Sequence, residues 1–238
     1  LGNCGTMVDM TNERKVQLWI AGGFIGAIVI ITIIAGIFGS STPVSPSFTA
    51  TETSPITSSD WVRGNGSAKV SVIEYGDFQC PACAAYAPIV EKLVQEYGSD
   101  VRFVFRHFPL FQIHPNAMIS AQATEAAGLQ GKFWEMHDML YQKQAEWSES
   151  ANGTVVAKYF DGYAKAIGID VAKFDADIQS AAVKQSVQDD LAAANAAKVD
   201  HTPTFFVNLK QIANPKNYEG AKAVIEAALA EQAASSAQ

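Results

Sequence analysis

The sequence predicts an α/β domain in which a sheet is interrupted by a helical insertion, with one transmembrane helix ahead of the domain. Short segments rich in β-branched and aromatic residues are typical of buried strands, and an alanine-rich block between about 115 and 198 has helical periodicity. An uncharged run of 21 residues lies near the N-terminus. The resulting order is β-α-β, a helical block, and then β-β-α.

Local patterns predict each strand and helix. Strands are expected over 69–75, 102–108 and 204–208, with a short strand at 211–213 that pairs with the last of them. The first strand leads into a helical pattern that ends at Tyr97, where Gly98 is a typical stop signal. Glycines and the polar cluster 148–153 divide the alanine-rich block into four or five helices. A closing helix is predicted over 218–232.

Composition and charge restrict the class of protein. The chain has 238 residues, of which 48% are hydrophobic, and this length allows one or two domains. Its formal net charge of −7 argues against nucleic acid as a partner, because phosphate binding needs a basic surface. The apolar and aromatic content excludes intrinsic disorder for most of the chain. Three cysteines are too few for a small disulfide-stapled domain.

The uncharged run Leu18–Phe38 is predicted to be an uncleaved transmembrane signal anchor. As a helix it would be about 31 Å long, which matches the bilayer's hydrocarbon core. A cleaved signal peptide is the alternative, but this run exceeds the apolar length typical of one. Because Arg14 and Lys15 precede the span and no basic residue follows until Arg63, residues 1–17 are placed in the cytoplasm. The expected location is the cell membrane, as a single-pass protein with its catalytic domain extracytoplasmic.

A tether and a globular domain are predicted after the span. Residues 39–59 are rich in Ser, Thr and Pro, and Glu52 is their only charged residue, so they should form an extended tether. Residues 60–238 are predicted to be the globular domain, with its helical insertion over about 114–198. Cys4 would face the reducing cytoplasm, and no function is assigned to it.

A Cys-x-x-Cys pair lies where the first strand meets its helix. At a helix N-terminus the unpaired N–H groups and the dipole stabilise a thiolate at Cys80, and Pro81 suits the first helical position. Two cysteines on one helical turn can form a disulfide with little backbone movement. We expect Cys80 to be exposed and to attack, and Cys83 to be packed inward and less reactive. A zinc site is disfavoured, because the four histidines form no metal-binding pair.

Several motifs occur in order along the globular part. They are EYGDFQCPAC (74–83), FPLFQIHPNA (108–117), GKFWEMHDMLY (131–141) and TPTFF (202–206). Together they resemble the DsbA branch of the thioredoxin superfamily, over roughly residues 61–229. The resemblance implies a thioredoxin fold with a helical insertion (DsbA-like) and thiol–disulfide oxidoreductase activity.

The resemblance also implies roles for individual residues. Cys80 would be the nucleophile and Cys83 the resolving thiol. Pro203 would be the cis-proline that packs beside the active-site disulfide, where it exposes the backbone of Thr202 to an extended substrate strand. Glu74 matches the family's buried acidic residue and would accept a proton when Cys83 attacks. A carboxylate at the edge or rim of the sheet is the alternative interpretation of Glu74.

Three more positions near the cysteines are candidates for contacting the substrate or tuning the thiolate. Pro81 and Ala82 are expected to contact the substrate. They stand where the family's most oxidising member has Pro-His, so the pKa of Cys80 should lie below a free thiol's value of about 8.5 without reaching the family's lowest. The protein would then be a milder oxidant. His201 is a candidate for tuning the thiolate, with an ordinary loop histidine as the favoured alternative.

Other residues of the insertion are interpreted structurally. The helically spaced apolar residues are expected to form core rather than a ligand site, namely Phe133, Trp134, Met136, Leu140 and Tyr141. His137 among them would be a satisfied helix histidine. His114 is expected to cap or orient the following helix.

The predicted function is a membrane-tethered oxidase that donates a Cys80–Cys83 disulfide to reduced, unfolded secreted proteins. The resemblance implies reoxidation by a quinone-linked membrane partner of the DsbB or VKOR type. No flavin or nicotinamide motif is present, so no cofactor beyond the redox-active disulfide is expected. The alternatives are a reductase or isomerase fed by a transmembrane electron donor, and a thiolate metal-binding module. A monomer is expected, because no dimerisation domain is apparent.

Overall fold

The computed structural model describes residues 48–151 and 153–237. The predicted transmembrane span 18–38, residues 1–17 and Cys4 lie outside the described residues. Within the described ranges, none of the helices combines the length and apolar composition that a membrane crossing needs.

Most strands and helices follow one another along the chain in the predicted order. The strands of the described residues are β1 (Phe48–Glu52), β2 (Trp61–Gly64), β3 (Val70–Gly76), β4 (Val101–His107), β5 (Thr204–Val207) and β6 (Lys210–Ile212). The helices there are α1 (Pro81–Tyr97), α2 (Ala117–Gly128), α3 (Phe133–Gln142), α4 (Gln144–Trp147), α5 (Gly153–Ala166), α6 (Val171–Ile178), α7 (Ala181–Ala196) and α8 (Tyr218–Ser236). The four predicted strands correspond to β3 to β6, and the predicted flanking helices to α1 and α8, with small shifts of their ends.

A mixed sheet forms the centre of the described chain. Its strands lie in the order β1-β6-β5-β3-β4-β2, and the central β3 runs parallel to β4 and antiparallel to β5. All of β3 is buried, in agreement with its mostly apolar sequence. In this register Glu74 lies opposite Phe105 of β4 and Phe205 of β5.

Different helices cover the two faces of the sheet. On one face Val72 packs with residues of α1 and α8, including Ile225. On the other face Ile73 packs with residues of α2 and α7, including Val187. Because successive strand residues point to opposite faces, Glu74 shares the face of Val72. The helix that begins at the cysteine pair therefore packs over Glu74.

The predicted tether is wrong for residues 48–59, which pack against the domain. β1 pairs antiparallel with β6, and the buried Thr53 has its hydroxyl 2.7 Å from that of Tyr75. Arg106 donates from Nη2 to the carbonyl oxygen of Pro55 at 3.0 Å. Pairing at a sheet edge uses backbone hydrogen bonds and needs few apolar side chains, so composition did not reveal this strand.

A buried ion pair fastens this N-terminal segment. The Arg106 guanidinium makes two contacts with the carboxylate of Asp60, at 2.6 and 3.1 Å. Their side chains are only 3% and 5% exposed, and Arg106 also donates to the Ser54 hydroxyl at 2.9 Å. Removing one partner would leave an unpaired charge in the interior.

The insertion contains the six helices α2 to α7 in the described residues, more than the four or five predicted, because α4 is a separate turn of four residues. The interpretation of its apolar residues as core is confirmed. The buried members are Phe133, Met136, Leu140 and Tyr141, with Trp134 partly buried against them.

The short strand β2 was not predicted, and it joins the insertion to the sheet. Its first residue, Trp61, stacks on Phe133 with ring centroids 4.5 Å apart and donates from Nε1 to Glu125 at 2.7 Å. Gly128 lies against the indole, where an added Cβ would collide with the ring. Gly128 thus serves packing as well as marking the end of α2.

Candidate active site

The junction between β3 and α1 places both cysteines. Cys80 is the N-cap of α1 and Pro81 occupies its first turn, where a missing N–H leaves nothing unpaired. Both cysteines are free thiols in this structure, and Pro81 and Ala82 between them are exposed. Cys80 is 8% exposed and Cys83 0%. The order of accessibility is as expected, but Cys80 is buried rather than exposed, since the Thr202 carbonyl lies against its sulfur.

Hydrogen bonds stabilise the Cys80 thiolate. The Cys83 side chain lowers the pKa of Cys80 most, and burial opposes it. The Thr202 side chain and the backbone N–H groups of Cys83 and Ala82 lower it further. Together they bring the pKa of Cys80 from 9.0 to about 5, although no histidine stands between the cysteines. The expected depression of this pKa is therefore present.

The loop before β5 brings Thr202 against Cys80. The Thr202–Pro203 peptide bond is cis, and the Cys80 thiol donates to the Thr202 carbonyl oxygen at 3.6 Å. The Thr202 hydroxyl is buried and has no hydrogen-bond partner among the described residues. It is therefore free to donate to the sulfur once Cys80 loses its proton. Asn214 donates to the Pro203 carbonyl oxygen at 2.6 Å, which fixes the loop.

Cys83 behaves in the opposite way to Cys80. Burial raises the pKa of Cys83 well above its ordinary value, and interactions with Cys80 and Glu74 raise it further. The site therefore holds a stabilised thiolate and a protonated thiol on one helical turn. This difference separates an attacking sulfur from one that must exchange a proton during the reaction.

Glu74 lies in the middle of the sheet. It is 6% exposed on the central strand β3, and its Oε1 has no hydrogen-bond partner in the described part of the chain. Burial, followed by the charge of Cys80, raises the pKa of Glu74 to about 8. The interpretation of Glu74 as an edge or rim carboxylate is therefore wrong. A carboxyl group with this pKa can exchange a proton near neutral pH.

A small cavity is lined by Glu74 together with side chains that reach the surface. It has a volume of about 30 Å³ and its lining includes Arg63, Glu91 and Asp138, which leaves room for one or two water molecules. Glu91 is exposed, and Asp138 is 34% exposed. The cavity therefore places Glu74 close to side chains that are in contact with solvent.

The structure places two of the histidines as ordinary structural residues. His201 is exposed and its Nδ1 lies 2.7 Å from Oδ1 of Asp200, and the groups that shift the pKa of Cys80 most do not include it. His137 is buried, and its Nδ1 lies 2.9 Å from Oδ1 of Asp138. Across the described residues, no group of three or more His, Cys, Asp and Glu side chains could hold a metal ion.

Asp77, whose role no sequence motif predicted, organises the loop before Cys80. Its carboxylate accepts from the N–H groups of Gln79 at 2.8 Å and Leu110 at 2.9 Å, and its carbonyl accepts from the Cys80 N–H. His114 lies 2.7 Å from the same carboxylate. The expectation that His114 caps or orients the next helix is met by its backbone, since its carbonyl oxygen accepts from the Ala117 N–H at 3.1 Å where α2 begins. Its side chain bonds the cysteine loop as well. The Gly-Asp pair after the strand is a turn signal that could have identified Asp77.

Comparisons with known proteins agree with this geometry. A family model described as Thioredoxin matches residues 57–227. Oxidised BdbD from Bacillus subtilis has a similar structure, with a TM-score of 0.65 and 25% identity, covering 75% of this chain and 97% of BdbD. A thioredoxin-like oxidoreductase from Silicibacter pomeroyi DSS-3 has a TM-score of 0.61 and 26% identity, over 72% of this chain and 93% of that one.

Curated relatives with higher sequence identity are much longer proteins. The Na(+)/H(+) antiporter NhaA 1 of Mycolicibacterium gilvum is 40% identical over 160 residues, which is 66% of this chain and 24% of the antiporter. The protein of the same name from Salinispora arenicola is 37% identical over 171 residues, or 72% of this chain and 25% of that protein. This chain thus spans about a quarter of the length of the curated relatives that it matches.

The mixed sheet, the helical insertion and the cysteine pair at the start of α1 define a thioredoxin-like domain. The chain belongs to the thioredoxin family. Its fold is that of the DsbA-like oxidoreductases.

Proposed function

We propose that this chain is a membrane-tethered, extracytoplasmic disulfide oxidase, which donates its Cys80–Cys83 disulfide to reduced secreted proteins. The observation that carries the proposal is the contrast between the two thiols. The pKa of Cys80 is lowered to about 5, whereas that of Cys83 is raised well above 9.0. A stabilised Cys80 thiolate favours the reduced enzyme, and a disulfide whose reduced form is stabilised is a strong donor.

The exchange takes place in two steps. A client thiolate attacks the sulfur of Cys80, the Cys80–Cys83 bond breaks, and Cys83 leaves as a thiolate that takes a proton from Glu74. A second client thiolate then attacks the client sulfur of the mixed disulfide, and Cys80 leaves as the stabilised thiolate. The client gains one disulfide, and the enzyme retains two electrons as a dithiol. Burial, the larger cause of the raised pKa of Glu74, also acts in the oxidised enzyme, so this carboxyl is available as a proton donor.

Clients are expected to bind where the N-terminus of α1 meets the cis-proline loop. Pro81 and Ala82 are exposed beside the nucleophile, and the Thr202 backbone can pair with an extended client segment. Phe111 and Ile113 are 51% and 70% exposed, and Ile113 lines an open cavity of about 270 Å³ together with Pro81. Exposed apolar groups at this place suit unfolded polypeptides, whose apolar side chains are not yet buried.

The reduced enzyme needs an oxidant, which we assign to a quinone-linked membrane partner of the DsbB or VKOR type. The predicted span 18–38 would hold the domain at the same membrane. Because β1 begins at Phe48, the predicted tether shortens to 39–47, a length of at most about 30 Å when extended. This short reach favours a partner within the membrane. We expect the chain to act as a monomer.

The reduction potential of the full chain tests this proposal. The protein, in detergent and carrying Cys4→Ser, is equilibrated in glutathione buffers, and its thiols are counted by alkylation and mass spectrometry. A potential well above thioredoxin's value of about −270 mV supports a disulfide donor. A potential at or below that value would instead support a reductase or isomerase fed by a transmembrane electron donor.

The control for this measurement is Cys80→Ser, which should form no intramolecular disulfide. If the parent chain exchanges no disulfide at all, the oxidase proposal is wrong. A thiolate metal-binding module would then be the interpretation to test, by metal titration of the reduced chain.

A further inference from the structure

The hydroxyl of Tyr141 is a buried polar group that the proposed exchange steps do not use. Tyr141 lies near the end of α3 and is 6% exposed. The hydroxyl is buried, and no described residue makes a well-formed hydrogen bond with it. Its ring lies against Phe78 and His137, with centroids 4.8 and 5.0 Å apart. The hydroxyl is only 3.0 Å from the position of a Cβ built on Gly76, so it lies beside the segment that leads to the cysteines.

Packing does not explain this hydroxyl. A phenylalanine ring would make the same contacts with Phe78 and His137. Burying a hydroxyl group without a partner costs free energy. A buried polar group of this kind in a native protein therefore calls for a reason, and a role in the reaction is one.

Cys83 is the reacting group next to the Tyr141 hydroxyl. Both side chains belong to the same buried cluster, and the Cys83 side chain interacts directly with the Tyr141 hydroxyl. Burial raises the pKa of Tyr141 well above its ordinary value, and Cys83 and then Glu74 are the next causes. The phenol therefore stays protonated and can donate a hydrogen bond. Cys83 is 0% exposed, so solvent does not reach a thiolate formed there, and a protein donor is needed in its place.

We propose that Tyr141 is a catalytic residue of the exchange reaction, whose hydroxyl donates a hydrogen bond to the Cys83 sulfur as that sulfur leaves. This inference rests on the proposed function, because it concerns the step in which the disulfide is attacked. The client thiolate forms a bond to Cys80, and the electron pair of the broken S–S bond stays on Cys83. Tyr141 stabilises the new charge and keeps its own proton, while Glu74 supplies the proton that neutralises Cys83.

The two buried groups around Cys83 therefore have different tasks. Glu74 transfers a proton and needs a pKa near neutrality, which burial gives it. The Tyr141 hydroxyl acts as a fixed dipole. Because such a donor is already in position, it stabilises the charge that develops on the Cys83 sulfur without a rearrangement of the site. The Asp77 backbone, which lowers the pKa of Cys83, is a second donor to the same sulfur. Loss of Tyr141 should therefore slow the exchange without abolishing it.

The test compares Tyr141→Phe with Tyr163→Phe in the full chain carrying Cys4→Ser. Tyr163 is the matched control, because it is 7% exposed in the same cluster and its hydroxyl donates to Glu146 at 3.1 Å. Each oxidised protein is mixed with reduced glutathione and trapped with acid, and the dithiol formed is quantified by mass spectrometry. Alkylation of the reduced proteins by iodoacetamide measures the reactivity of the Cys80 thiolate alone. No disulfide breaks in that reaction, so Cys83 does not act as a leaving group.

We expect Tyr141→Phe to slow the attack of glutathione about tenfold, equivalent to roughly 1.4 kcal/mol in the barrier. Alkylation of Cys80 should stay within about twofold of the parent rate, and Tyr163→Phe should change neither rate. An unchanged rate for Tyr141→Phe overturns the proposal, and so does an equal slowing in both variants, which would be a packing effect. A parent chain that does not react with glutathione would contradict the proposed function itself, and this inference with it.

Discussion

Replacing Glu74 with glutamine removes the titrating group beneath the cysteine pair and keeps its size. Burial, and secondly the Cys80 charge, raises the pKa of Glu74 from 4.5 to about 8. The native state therefore binds this proton more tightly than the unfolded state. The stability that protonated Glu74 contributes is complete below pH about 4.5 and is lost as the pH rises through about 8.

The size of this effect follows from the two pKa values. One pKa unit corresponds to about 1.4 kcal/mol, so a change from 4.5 to about 8 amounts to a loss of about 5 kcal/mol across this range. Glutamine does not titrate, so the variant does not lose this unfolding free energy as the pH rises. Relative to the parent protein, Glu74→Gln should therefore gain about 5 kcal/mol of unfolding free energy between mildly acidic and alkaline pH. In the oxidised protein Cys80 carries no charge, so the pKa of Glu74 should be raised less. The gain in unfolding free energy of Glu74→Gln should then still be positive but smaller.

Urea denaturation of the full chain across this pH range measures the difference in unfolding free energy between the two proteins. The control is Glu91→Gln, which removes an exposed carboxylate from the lining of the same cavity and should follow the parent protein at every pH. A difference for Glu74→Gln that does not vary with pH, in either redox state, would refute Glu74 as a buried, protonated carboxyl. It would also remove Glu74 as the proton donor to Cys83.

Two further substitutions test the thiolate and the N-terminal segment. Thr202→Val removes the buried hydroxyl next to Cys80 and should raise the pKa of Cys80 above about 5 by roughly one unit. Ultraviolet absorbance of the thiolate measures this pKa. Thr202→Ser keeps a hydroxyl and is the control, so equal pKa values of Cys80 in the two variants would contradict this role. Arg106→Met leaves the buried Asp60 unpaired and should lower the unfolding free energy by about 3–5 kcal/mol. The control is Arg63→Met, because the ion pair between Arg63 and Asp138 is more exposed. This variant should lose about 1 kcal/mol of unfolding free energy or less. Similar losses in the two variants would contradict the role of Arg106 as the buried partner of Asp60.

The centre of the sheet was predictable from sequence and its edges were not. β3, β4 and β5 are buried runs of β-branched and aromatic residues, and such runs are recognisable without knowledge of their neighbours. β1 and β2 lie at opposite edges of the described sheet. β1 lies in a Thr- and Ser-rich segment, and its pairing with β6 depends on residues about 160 positions away, as in the hydrogen bond between Thr49 and Gln211. Local composition carries no information about such a distant partner.

Within the site, motifs predicted the identity of the reacting residues but not their surroundings. The spacing of Cys80 and Cys83 at a strand–helix junction indicated the chemistry. Alternation along the strand did not place Glu74, because β3 is buried on both faces and has no polar side for comparison. The Asp77–His114 contact and the position of Tyr141 depend on how the insertion folds back onto the cysteine loop. Those contacts follow from tertiary packing, which no short motif encodes.

The register of the sheet explains why Glu74 can serve a buried thiol. Its neighbours on both adjoining strands are phenylalanines, Phe105 and Phe205, so neither adjoining strand pairs a basic side chain with its carboxylate. A lysine at either position would favour the charged form and lower the pKa of Glu74, and the group would then hold no proton to give at neutral pH. Burial between two aromatic residues keeps the pKa of Glu74 at about 8 instead. The dipeptide between the cysteines influences the attacking sulfur, whereas the residues opposite Glu74 determine whether a proton is available to Cys83.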